Sequence, residues 1–247
     1  MPVTAPEHCG ACREGASAPA IRMALQPIVD LDTRTVFAYE ALVRGQDGAS
    51  AAEVLAAIEP GGQYAFDQAC RVAAIEHAAA LDLPCPVSIN FLPGAVYRAE
   101  TCIRRTLAAA RRCRWPLERI VFEVGESEHV DRPRHLIDIL DAYRGMGFRT
   151  AIDDFGAGFA GLNLLAEFQP DLVKFDMGLV RGIDRDTARR TIVAHAARMC
   201  AELGISVVAE GVETLDESRA LRDLGIDLQQ GFVFARPALE FAPAVRL

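Results

Sequence analysis

A chain of 247 residues, 51% of them apolar, can bury a core large enough for one large α/β domain or two small ones. Acidic groups outnumber basic ones to a net charge of −8, which argues against a non-specific binder of polymeric nucleic acid. That role needs a basic face against the phosphates, whereas a small phosphate ligand stays open because divalent cations can supply local positive charge.

In chain order, residues 1–20 read as a flexible leader and 21–247 as one domain. The leader lacks the basic-then-apolar pattern of a secretory signal. Its His8-Cys9-x-x-Cys12 segment offers too few ligands for zinc. No apolar run approaches the roughly 20 residues of a membrane-spanning helix. Most of the seven cysteines sit in apolar periodic segments, as buried reduced thiols do. The cytoplasm is the expected compartment, with no membrane partner.

From Ile21 onward, β-like runs alternate with helical patterns. Strands are expected at Met23–Val29, Val36–Val43, Pro86–Phe91, Ile120–Val124, Arg149–Asp153, Asp171–Phe175, Ser206–Ala209 and Leu228–Phe234. Helices are expected at Ala52–Ile58, Phe66–Leu81, Thr101–Arg112, Arg134–Met146, Thr187–Leu203 and Leu215–Leu224, where apolar residues recur every three or four positions. The phrases RGMGF, AELGIS and RDLGID place glycine where helices stop in the left-handed conformation. Alternation of the two periods implies parallel pairing. The later strands, AIDDF, DLVKF and SVVAE, are apolar almost to their ends, as strands buried on both faces are. A closed (βα)8-type barrel suits the length. An open doubly wound sheet is the alternative, but no G-x-G-x-x-G follows the first strand.

Polar residues end these strands: Glu40, Asn90, Glu123, the pair Asp153-Asp154, Lys174, Glu210 and Gln230. In a parallel barrel those ends meet at one mouth, where active sites are built. Clustered carboxylates are costly unless they bind cations or share protons. Oxygen donors dominate, and none of the histidines falls at a strand end, so Mg²⁺ or Mn²⁺ fits better than zinc. Asp153-Asp154 suits two ions about 4 Å apart, one carboxylate bridging, an arrangement that activates water on a phosphodiester. Lys174 is the only lysine among 25 arginines. The run Arg104, Arg105, Arg111, Arg112 and Arg114 has few aromatics near it and reads as a solvated face.

FAYEALVRG carries E-A-L-x-R from Glu40 to Arg44; LQPIVD, VSIN, FEVGE, DDFGAGFAGL, LVKFD, AEGVET and QQGFVFARP complete an ordered set. Together these resemble the EAL-domain phosphodiesterases over roughly residues 21–240. The resemblance implies a TIM-like barrel with an antiparallel first strand, and hydrolysis of cyclic di-GMP to linear pGpG with two divalent cations, Mg²⁺ or Mn²⁺. It implies Glu40, Asn90, Glu123 and Asp153 as metal ligands, with Asp153 shared and Asp154 on the second ion. Lys174 and Glu210 would orient and deprotonate water, Glu210 also touching a metal-held water, and Glu213 and Gln230 would complete the metal–water network. Arg44 would hold a phosphate, Gln26 would lie near the nucleotide, and Glu126 would anchor the loop Phe155–Leu162. A homodimer and a possible regulatory protein partner are implied in the same way. Gly125 and Ala157 depart from the family's usual residues, and neither is a ligand position. A receptor or regulatory scaffold with little turnover is the rival reading; the complete ligand set favours an enzyme.

Overall fold

The structure, a computed structural model, describes residues 20–59, 61–96, 98–126, 133–158 and 161–245. It opens with a hairpin of its two longest strands, β1 (Ile21–Asp30) and β2 (Thr35–Gly45). Asp30 makes the turn: its Oδ1 accepts from the backbone N–H groups of Asp32 at 3.0 Å and Thr33 at 3.2 Å, and Arg34 turns left-handed at φ 56°. Helices α1 (Ala51–Ala56) and α2 (Gln63–Ala80) lead to β3 (Val87–Asn90). Then come α3 (Ala99–Cys102), α4 (Arg104–Cys113), β4 (Ile120–Gly125), α5 (Pro133–Gly145), β5 (Arg149–Phe155) and α6 (Gly161–Glu167). The chain ends with β6 (Leu172–Phe175), α7 (Met177–Val180), α8 (Thr187–Glu202), β7 (Ser206–Ala209), α9 (Leu215–Arg222) and β8 (Leu228–Gln229).

The strands close in sequence order into one barrel, which removes the doubly wound alternative. β1 lies antiparallel to both neighbours, pairing Gln26 with Glu40 on one side and Val29 with Gln229 on the other; the other neighbouring pairs are parallel. This is the TIM-like barrel with a reversed first strand.

Side-chain alternation divides the core in two. Tyr39, Ile89, Phe122, Val124, Ile152, Val173 and Phe175 join the large cluster that includes helix residues. Ile28, Ala38, Val121, Ala151, Leu172 and Val208 form a separate apolar cluster within the ring of strands.

Four elements differ from the sequence expectation. The helix expected over Thr101–Arg112 breaks at Ile103 into α3 and α4. The short helices α6 and α7 were missed, because fewer than two or three turns give no readable period. The last strand ends at Gln229 rather than Phe234, so Gln230 lies one residue beyond it. There Gly231 presses against Val212 so closely that an added Cβ would fall 1.9 Å from the Val212 carbonyl oxygen, and the backbone leaves the ladder. Buried Cys70, Cys85, Cys102 and Cys200 are free thiols, as expected, and Cys113 is half-buried. His8, Cys9, Cys12 and most of the expected leader lie outside the described residues.

Candidate active site

On most strands, one step of two residues leads from the apolar interior to a polar rim. Ala38 is followed by Glu40, Val121 by Glu123, Ala151 by Asp153, Leu172 by Lys174 and Val208 by Glu210; on the reversed β1, Gln26 precedes Ile28. The same parity that buries the first residue turns the second toward the shared mouth.

Lys174, 1% exposed, stands at the centre. Its Nζ lies 2.7 Å from Glu210 Oε1, 3.0 Å from Glu123 Oε2, 3.1 Å from Asp153 Oδ1 and 3.3 Å from Glu40 Oε2. Asn90 Nδ2 donates to Glu40 Oε1 at 3.0 Å and to Glu123 Oε2 at 3.4 Å, so its amide oxygen faces away from both bonds. Gln230 Nε2 donates to Glu40 Oε2 at 2.7 Å, and its buried Oε1 has no hydrogen-bond partner.

A strand would normally send consecutive residues to opposite faces, yet Asp153 and Asp154 both line the mouth. The register of β5 on β6 shifts between Ile152 and Phe155, and Asp154 is left-handed at φ 54°. This bulge re-aims the second carboxylate, and aspartate is among the few residues that tolerate the conformation.

Negative charge is in excess. Burial pushes Glu123 up to about 8, against the pull of Lys174, with Glu40 and Asp153 adding to the rise. Burial likewise lifts Glu210 well above the carboxylate range, while Lys174 opposes and Asp153 and Glu40 reinforce the shift. Asp154 rises to about 6 through burial and the nearby Asp153 and Asp176. Burial alone would lower Lys174, but Asp153, Glu123, Glu210 and Glu40 together hold it well above its ordinary value. Carboxylates that resist ionising beside a single ammonium are suited to cations.

Among the described residues, two sets of three carboxylates have ligand oxygens within 4.8 Å of one another: Glu40, Glu123 and Asp153, and Asp153, Asp154 and Glu210. Asp153 belongs to both. The all-oxygen set and the orphaned Gln230 Oε1 fit hard divalent cations.

Two cavities meet at Asp153 and Asp154. One, of ≈ 270 Å³, is also lined by Gln26, Glu40, Glu210, Glu213, Gln230 and Phe232. The other, of ≈ 250 Å³, is mostly apolar and touches Leu42, Leu55, Phe66, Asn90 and Phe91. Gln26 is held by its Nε2 bond to the Ala235 carbonyl at 3.3 Å. Arg44 lines neither cavity; its Nη1 donates to the Val43 carbonyl at 2.7 Å. Glu213 reaches the first cavity, but its exposed carboxylate is paired with Arg181.

Just past the end of β4, Glu126 accepts the N–H groups of Gly156 at 2.7 Å and Gly158 at 3.2 Å through Oε2, and that of Gly161 at 2.7 Å through Oε1. It thereby ties both ends of the 155–162 loop, of which 159–160 lie outside the described residues. Ser88, whose hydroxyl donates to Glu123 Oε1, and Asp176, which lines the first cavity, were not singled out from sequence. Each sits two residues from a recognised rim residue (Asn90 and Lys174), and that spacing was the available signal.

The EAL domain family profile matches residues 11–237. Among curated relatives, the blue light- and temperature-regulated antirepressor BluF of Escherichia coli is 32% identical over 223 residues, 90% of this chain and 55% of its own length. The cyclic di-GMP phosphodiesterase RocR of Pseudomonas aeruginosa is 34% identical over 125 residues, 51% of this chain and 32% of RocR. The chain thus spans about half or less of the curated relatives it matches. Among solved structures, a standalone versatile EAL protein from Vibrio cholerae bound to c-di-GMP shows 46% identity and a TM-score of 0.90, covering 93% of this chain and 97% of that one. BlrP1 of Klebsiella pneumoniae, in a manganese and cyclic di-GMP complex at pH 6, shows 38% identity and a TM-score of 0.87, covering 99% of this chain and 61% of BlrP1.

Proposed function

The chain belongs to the EAL domain family, and from that premise we propose that it hydrolyses cyclic di-GMP to linear pGpG. The observation that carries this reading is Asp153 standing in two carboxylate clusters at once, against a buried Lys174. A relative named as a cyclic di-GMP phosphodiesterase, and solved structures of similar proteins holding cyclic di-GMP and manganese, support it.

Glu40, Glu123 and Asp153 would hold one divalent cation, and Asp153, Asp154 and Glu210 a second, Mg²⁺ or Mn²⁺; Asn90 would join the first once its amide turns its oxygen toward the carboxylates. When bound, these ions supply Lewis acidity and make water a better nucleophile near neutral pH. In the reaction, a water oxygen bonds to one phosphorus while one P–O3′ ester bond breaks. Glu210 takes a proton from that water, and the departing O3′ takes one from the solvent. A carboxylate raised above its usual range holds a proton more tightly and, set 2.7 Å from an ammonium, suits a general base. Lys174 aligns Glu210 and offsets the crowded charge. Gln230 and Glu213 border the attacking water's space, Glu213 once it releases Arg181.

Gln26 lies at the nucleotide's edge. Arg44 serves a phosphate only by swinging off the Val43 carbonyl. Two cavities meeting at Asp153 and Asp154 suit an extended ligand with a base on either side of the scissile ester. Residues 1–20 would form a leader to a domain at 21–247, working in the cytoplasm as a homodimer open to a regulatory protein partner, with Glu126 and its loop linking the metal site to the dimer contact. Among the described residues, no helix is long and apolar enough to cross a membrane.

Chromatography of cyclic di-GMP incubated with the protein and Mg²⁺ or Mn²⁺ tests the proposal. Linear product that disappears in Glu40→Ala is expected; tight binding without conversion would make the chain a receptor instead.

A further inference from the structure

Behind the sheet, α2 buries an ion pair that the chemistry above does not use, with its Asp67 lining the same apolar cavity as Asn90. Asp67 and Arg71, 2% and 0% exposed, lie one helical turn apart with Nε 2.8 Å from Oδ2. Asp67 Oδ2 also accepts from Gln68 Nε2 at 3.1 Å, and its Oδ1 accepts the backbone N–H of Leu92 at 3.0 Å. Arg71 Nη1 donates to the Tyr143 hydroxyl at 2.9 Å. Its guanidinium carbon sits 5.2 Å from the ring centre of Phe91, 5.0 Å from that of Phe122 and 5.6 Å from that of Tyr143.

Two of those rings are sequence neighbours of rim residues: Phe91 follows Asn90, and Phe122 precedes Glu123. Because consecutive strand residues face opposite ways, a plate that fixes the two phenylalanines from behind also fixes how Asn90 and Glu123 project in front. The Phe91 N–H, bonded to the Glu123 carbonyl at 3.0 Å, joins the two strands at the same level. Asp67 completes the grip by holding Leu92, two residues past Asn90. Packing alone does not call for this: buried ion pairs often stabilise less than apolar side chains of the same volume. A flat guanidinium that stacks on rings while Nη1 holds the Tyr143 hydroxyl has the shape for positioning.

We propose that the Asp67–Arg71 pair, with Tyr143, is a positioning device that sets Asn90 and Glu123 for a divalent cation; this rests on the metal reading above. The test is calorimetric titration of Mn²⁺ alone into the whole chain, with melting temperature measured beside it. Removing Arg71 alone would strand a buried carboxylate, so the informative variant is Asp67→Asn with Arg71→Met, which keeps an acceptor for Leu92 and refills the ring cage. That double variant should bind Mn²⁺ about 10- to 100-fold more weakly, the range typical when a ligand's supporting contact is lost. Tyr143→Phe should weaken binding by roughly 3-fold, below that same range because only one hydrogen bond is removed. Val193→Ala, at a buried position of α8, should lower the melting temperature and leave Mn²⁺ affinity unchanged.

Wild-type affinity in the folded double variant would overturn the inference, as would an equal loss of affinity in Val193→Ala. Should the double variant not fold, unchanged affinity in Tyr143→Phe overturns it, and weakened affinity there upholds it. A wild-type chain that takes up no Mn²⁺ would remove the metal reading itself, an outcome distinct from either.

Discussion

The barrel interior holds two layers that differ by one step along the same strands. The lower layer, Ile28, Ala38, Val121, Ala151, Leu172 and Val208, is apolar and makes no electrostatic demand. The upper one gathers Glu40, Glu123, Asp153 and Glu210 around Lys174. Burial stabilises the first, at roughly 1.5–3 kcal/mol for each large apolar side chain taken from water. In the second, burial works against the charges that function requires, which is why Glu123 and Glu210 are driven upward. One layer holds the strands in register; the other spends part of that stability on a poised site.

The largest expected effect comes from breaking the upper layer at its centre. Lys174→Ala removes the ammonium that aligns Glu210 and leaves the carboxylates to one another. Turnover should fall by about 10²- to 10⁴-fold, the scale of a lost acid–base partner, while cyclic di-GMP binding changes far less. Steady-state product formation and calorimetric ligand titration separate the two; unchanged turnover would take lysine out of the mechanism. Breaking the lower layer should do the reverse. Leu172→Ala opens a cavity costing about 2–5 kcal/mol, visible as a lower melting temperature, with Mn²⁺ affinity retained. A matching loss of affinity would mean that the layers are not separable.

Both layers were legible in the sequence because strand alternation writes them side by side: AIDDF shows the apolar-to-acidic step within one strand, and DLVKF shows it ending in lysine. Order along the chain then supplied the ring, since parallel strands bring their ends together. What escaped depends on contacts between distant segments. The β5 bulge that brings Asp154 beside Asp153 leaves no mark on hydrophobic periodicity. Asp67 and Arg71 look like an ordinary surface pair four residues apart; only Phe91, Phe122 and Tyr143, from three remote segments, make that pair buried. Arg44 was assigned by its place after Glu40, but its rotamer is set by the Val43 carbonyl. The arginines of α4 read correctly as a solvated face, with Arg112 paired to Glu76.

The subtlest contrast between the layers is in their response to pH. The apolar layer has nothing to titrate. In the rim, Asp154 is raised to about 6 and Glu123 to about 8, both above their ordinary values of 3.8 and 4.5, with burial the leading cause. A carboxyl raised in the folded state binds its proton more tightly there than in the unfolded chain. Its contribution to stability is therefore complete below the ordinary value and is lost as pH climbs through the raised one. The metal-free protein should lose melting temperature, by several degrees, as pH rises from the ordinary carboxylate range to about 8. Mg²⁺ replaces the protons that are being lost, so its stabilisation should grow over the same interval. Thermal melts at the two ends of that interval, each with and without Mg²⁺, measure the difference. Equal Mg²⁺ shifts at both would show that these carboxyls do not carry the ions.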